Sequence, residues 1–200
     1  MGHETSDSEP RLAPPGAGIP LPHRLFMTYV VRPLIAARSD WQENAQLFRR
    51  WTEKIDDELV GLSEAQLCRR VLVPSQVGLE DSSRFWSVAM ALEHLVIVGS
   101  KIEMLIGELA DERVPPQVKV ETAAVKPLGE LSAEQAIREF RAWAYGAEKR
   151  VLEKSRSRTS RAFLVHPWFG PFNSLSWQWL LAQHHGIHLK QIREIKKGLR

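Results

Sequence analysis

Residues 85–109 read FWSVAMALEHLVIVGSKIEMLIGEL, and their hydropathy decides the fold. Apolar side chains fall on almost every face of the helix this run forms, not on one stripe. A helix that is apolar all round has no solvent side, so it belongs at the centre of a bundle. His94 interrupts the run as a lone imidazole. Glu93 precedes it and points about 100° away around the helix.

The flanking sequence supplies three more long helices with readable starts. Ser39 and Gln42 have capping-box spacing, and apolar residues then recur at helical intervals as Trp41, Ala45, Phe48, Ile55 and Leu59 before Gly61. Ser63 with Gln66 heads a short helix, SEAQLCRR, followed by the extended VLVPSQVG. The central helix opens near Asp81–Ser83. After it, Pro115 and Pro116 begin a loop that lasts to about Leu131. Ser132 with Gln135 heads a third long helix, AEQAIREFRAWAYGAEKRVLEK, and HPWFGPFN forms another loop. The fourth helix starts at Asn173 or Ser174 and continues past Ile195. No stretch sustains period-two alternation and no segment repeats. The expectation is an all-α four-helix bundle over residues 39–200, preceded by an extension over residues 1–38.

Within that extension, the first 24 residues are rich in Pro, Gly and Ser and read as a flexible or extended tail. Glu4, Asp7 and Glu9 argue against a secretory signal or transit peptide. The segment LFMTYVVRPLIAA is broken by Arg32 and Pro33 and falls short of the ~20 apolar residues of a spanning helix. It reads as an element packed on the domain or meeting a partner. A soluble, cytoplasmic chain without a membrane partner is expected.

Two hundred residues with 44% hydrophobic content suffice for one domain with a real core. The net charge of +3 is mild. Its excess lies in KSRSRTSR (154–161) and KKGLR (196–200), which read as a solvated loop and a helix end. No aromatic–basic stripe accompanies them, which argues against nucleic acid. The single cysteine, Cys68, excludes an internal disulfide and an all-cysteine metal cage. In AQLCRRV it reads as a small buried hydrophobe.

LAQHHGIHLKQI (181–192) carries three of the seven histidines. With His184 at zero on a helical wheel, His188 lies at about 40° and Gln191 at about −20°, on the side of Trp177, Leu180, Leu181, Ile192 and Ile195. All three therefore turn inward, whereas His185 lies at the edge of that face. A buried imidazole without a partner costs about 1–3 kcal/mol. Two imidazoles at i,i+4 can instead converge on one ion, and His94 on the central helix completes a three-histidine set. Such a set suits Zn²⁺ or Ni²⁺ and leaves a coordination position open. The plainer reading is a group of hydrogen-bonded core histidines. His166 and His185 read as loop-orienting or surface residues. Trp86, Trp168, Trp177 and Trp179 read as core, with a pocket mouth as the alternative.

Trp86 to Leu95 has the pattern W-x₇-H-L, and His184, His188 and Gln191 form H-x₃-H-x₂-Q. In this order the motifs resemble the DinB-like superfamily of metal-binding four-helix bundles. HPWFGPFNSLSWQWLLAQH (166–184) is similar to the entry to the last helix in one of its uncharacterised branches. The resemblance spans Ser39 to Lys196 and does not cover the first forty residues or so. It implies a divalent metal on His94, His184 and His188, with Gln191 supporting a ligand from behind. It further implies a small-molecule substrate, foremost a low-molecular-weight thiol in an S-transfer reaction. A metal-dependent hydrolase and a non-catalytic interaction module are the alternatives. No general base stands out, and a homodimer is left open.

Overall fold

The structure is a computed structural model that describes residues 10–18, 21–116 and 122–200. It is a four-helix bundle. Its first long helix, α3 (Trp41–Leu59), is preceded by two short helices, α1 (Leu21–Phe26) and α2 (Arg32–Arg38), joined through a π-helical stretch at Met27–Val31. Then come α4 (Glu64–Cys68), the central α5 (Val88–Ala110), α6 (Ala133–Ala144), α7 (Ala147–Ser155) and α8 (Ser174–Gly198). Helix α5 packs on α8 and on the α6–α7 pair, and α3 closes the ring by packing on α8 and α7. No helix of the described residues is long and apolar enough to cross a membrane.

The expected all-α bundle is observed, with local corrections that follow from capping and backbone freedom. Asp40, not Ser39, caps α3: its carboxylate accepts from Gln42 N and Glu43 N. A carboxylate at that position also complements the positive end of the helix. The boxes at Ser63–Gln66 and Ser132–Gln135 form as expected. Helix α5 begins at Val88, capped by Ser87, because Phe85–Trp86 (β2) pairs antiparallel with Val71–Leu72 (β1) instead of continuing Asp81–Ser83 as a helix. The third helix is broken. Tyr145 is extended and Gly146 adopts φ +90°, a conformation open to glycine and costly for other residues. Arg150 Nη2 donates to Trp143 O at 2.8 Å across the break, satisfying a carbonyl that α6 leaves bare. HPWFGPFN is a hairpin: β3 (Leu164–His166) pairs antiparallel with β4 (Gly170–Phe172).

The apolar core runs the length of the bundle. Ile55, Leu92, Leu95, Phe140, Ile192 and Ile195 fill one half. Phe48, Ile106, Leu109, Val151, Phe172 and Leu181 fill the other. Cys68 is exposed, contrary to its expected burial. Of the 24-residue tail, residues 1–9 and 19–20 lie outside the described residues. The part that is described is held: Ala13 N donates to Asp81 Oδ2 at 2.7 Å and Gly16 N to Glu80 Oε1 at 2.9 Å. The apolar segment that follows packs Met27 and Val31 on the bundle, and Thr28 Oγ1 reaches Trp168 O.

Candidate metal centre

His94 comes from the middle of α5, and His184 and His188 come from successive turns of α8, the helix α5 packs against. Their facing ring nitrogens converge. His184 Nε2 lies 3.2 Å from His94 Nε2 and 3.1 Å from His188 Nε2, and donor atoms of all three residues lie within 4.8 Å of one another. Two imidazole nitrogens bound at about 2.0–2.1 Å to one tetrahedral ion stand roughly 3.3 Å apart. The observed spacing fits a single ion.

The far sides of the rings fix their tautomers. His94 Nδ1 meets Val125 O at 2.7 Å. A carbonyl only accepts, so this Nδ1 carries the proton and Nε2 presents a lone pair. His188 Nδ1 meets Gln191 Oε1 at 2.7 Å, and Gln191 Nε2 donates to Ser83 O at 2.7 Å, which fixes the amide's orientation. His188 Nε2 is therefore also a lone pair. His184 stands between two acceptors, and its own Nδ1 is buried without a partner among the described residues. Protonated at Nε2, it satisfies one neighbouring lone pair and leaves the other. Protonated at Nδ1, it buries an orphan donor and brings three lone pairs face to face. Each alternative leaves an unmet group worth about 1–3 kcal/mol. A cation at the common point takes up all three facing lone pairs and leaves only the His184 Nδ1–H unmet, so the three facing nitrogens fit the group.

His94 and His188 are buried at 7% and 3% exposure, and His184 is partly buried with its Nδ1 shielded from solvent. Burial pushes all three rings below the ordinary histidine range, His188 to about 4. They are neutral near pH 7, the state in which imidazole binds a metal. Trp86 packs against the centre, 5.0 Å from the His94 ring and stacked 6.1 Å from that of His188.

Other candidates lie apart. His185 is fully buried, not a surface residue; it packs among Phe48, Phe140 and Trp143, with Nδ1 on Leu181 O. His166 does orient its loop, since its Nδ1 accepts from Trp168 N inside the hairpin. Glu93 accepts from Leu128 N and Gly129 N and pins the loop that carries Val125. Trp177 is core. The sequence had no means of pointing to Ser83 and Val125, because both act through backbone carbonyls that no side chain advertises.

No family model matches the chain, and no curated protein matches it in sequence. Among solved structures, the chain is similar to the crystal structure of TT2238, a four-helix bundle protein, with a TM-score of 0.51 and 20% identity. That match covers 76% of this chain and 97% of TT2238. It establishes the bundle architecture.

Proposed function

We propose that this chain is a divalent-metal protein of the DinB-like superfamily that uses the ion, Zn²⁺ or Ni²⁺, to activate a small thiol for S-transfer. The observation that carries the reading is the convergence of the Nε2 atoms of His94, His184 and His188 at 3.1–3.2 Å spacing, with two of the tautomers fixed as lone-pair donors. The motif order W-x₇-H-L and H-x₃-H-x₂-Q supports the family reading.

Bound there, the ion supplies a Lewis acid with a position not taken by the three imidazoles, where a thiol loses its proton at neutral pH. The chain's own residues hold and shield. Val125 O and Gln191 Oε1 keep two rings turned inward. Trp86 excludes water from behind His94 and His188. His184 is less buried than the other two rings, so a small substrate would approach from its side. No carboxylate belongs to the cluster of donor atoms among the described residues, so an anionic ligand such as a thiolate meets no like charge within it.

The test is metal analysis of protein purified without a polyhistidine tag, followed by Co²⁺ loading and separate titration with bacillithiol, mycothiol, glutathione and cysteine. A sulfur-to-metal charge-transfer band with one of these thiols, lost in His184→Ala, is the expected result. Bound metal whose spectrum no thiol perturbs would sink the S-transfer reading and leave hydrolysis or a structural role.

A further inference from the structure

The groups that orient the candidate ligands sit on two separate loops. Ser83 O, which holds Gln191 and through it His188, belongs to the turn at Asp81–Ser83. Val125 O, which holds His94, closes the short 3₁₀ turn at Thr122–Val125. Glu93 and Lys101 on α5 hold the Val125 loop, and both rings depend on how the two loops stand relative to each other.

Lys126, the residue after Val125, bridges them. Its Nζ lies 2.6 Å from Glu80 Oε2 and donates to Ser83 Oγ at 2.6 Å. The pair is enclosed, with side-chain exposures of 17% for Lys126 and 4% for Glu80. The ammonium also stands 5.4 Å from the centre of the Trp86 ring, the same ring that backs His94 and His188. Glu80 is itself tied down by Ser82 Oγ at 2.9 Å and by Gly16 N at 2.9 Å. Burial alone would raise the Glu80 pKa, but the bonds from Lys126, Ser82 and Gly16 hold it below the usual carboxylate range. An ion pair this enclosed costs desolvation and is weak evidence of a stabilising role. Its position suggests another use.

Building on the metal-centre reading, we infer that the Glu80–Lys126 pair is a positioning clamp, which locks the Ser83 and Val125 carbonyls together and so sets the rings of His188 and His94 for the ion. The N-terminal segment at Ala13–Gly16 closes the clamp from outside through Asp81 and Glu80. Neither Glu80 nor Lys126 belongs to the cluster of converging imidazoles. Both act through carbonyls that touch the rings or their support.

Two measurements on the full chain test this in Glu80→Gln, Lys126→Met and Lys126→Arg. The first is long-range ¹H–¹⁵N NMR of the histidine rings in the metal-free protein at pH 7.5. In the wild type, His94 and His188 should be protonated at Nδ1 only. Glu80→Gln and Lys126→Met should show a mixture with the Nε2–H form, and Lys126→Arg should restore the wild-type pattern. The second is Zn²⁺ affinity by chelator competition, expected to fall about 10–100-fold in the first two variants, the usual effect of losing a group that orients a ligand. Arg141→Met, which removes a bond to Asp56 elsewhere on the bundle, should lower stability and move neither readout. Wild-type tautomers in Glu80→Gln and Lys126→Met overturn the clamp, whatever their affinities. A wild-type chain that takes up no Zn²⁺ overturns the metal reading instead, and the tautomers still decide the clamp.

Discussion

Trp143 occupies the space that a side chain on Gly99 would need: a Cβ added to Gly99 would lie 1.9 Å from the indole Cη2. The indole has little freedom to retreat, because its Nε1 donates to Glu103 Oε2 at 3.1 Å. Glu103 in turn accepts from Arg150 and Lys154, so this contact fastens α5 to the broken α6–α7 pair.

Gly99→Ala should therefore destabilise the bundle despite removing a glycine from a helix interior. The helix-propensity gain is about 1 kcal/mol. Overpacking costs about 1–3 kcal/mol and more where the neighbour is pinned. The clash should win by about 2 kcal/mol, lowering the melting temperature by roughly 4–8 °C in calorimetry. An unchanged or raised melting temperature would mean that Trp143 repacks freely.

Acid should unfold the protein early. Burial pulls the pKa of His166 and His185 down to about 3 and that of His188 to about 4, and holds His94 and His184 well below the ordinary range, against 6.5 in an exposed chain. Between pH 6.5 and about 4 the unfolded chain takes up these protons and the folded chain does not, so stability falls as pH falls. Each such histidine contributes a slope of about 1.4 kcal/mol per pH unit, and five contribute about 7. His185→Leu places an apolar side chain among Phe48, Phe140 and Trp143 and removes one of the five. Urea unfolding at a series of pH values should show the variant losing stability about one fifth less steeply below pH 6. Parallel curves would show that His185 is protonated in the native state.

Much of the bundle was legible in sequence because its signals are local. The apolar run 85–109, the Ser63 and Ser132 boxes and the start of α8 each depend on side chains a few residues apart. The inward set of His184, His188 and Gln191 followed from one helical wheel. The misreadings arose where neighbours compete. Asp40 outbid Ser39 for the first amides of α3, and Gly146 let the backbone leave the helix inside an otherwise periodic run. The support behind the histidines was not legible at all. It depends on backbone carbonyls and on Glu80 meeting Lys126, a pairing set by how two loops fold against α5 and α8.

Metal removal should reveal the centre through stability. An ion that binds only the folded arrangement adds RT ln(1 + [L]/Kd), about 2.7 kcal/mol when the metal stands at a hundredfold its dissociation constant. Chelation should thus lower the wild-type melting temperature by about 5–10 °C, while the apolar core keeps the metal-free bundle folded. His188→Ala removes one of the three converging nitrogens and should melt at the same temperature with and without chelator. His185→Leu alters a neighbouring buried imidazole that points into the aromatic core, and should keep the full chelator response. The contrast between these variants separates ligation from burial. If wild type and His188→Ala respond alike, the convergence at 3.1–3.2 Å reflects core packing and the three imidazoles hold no ion.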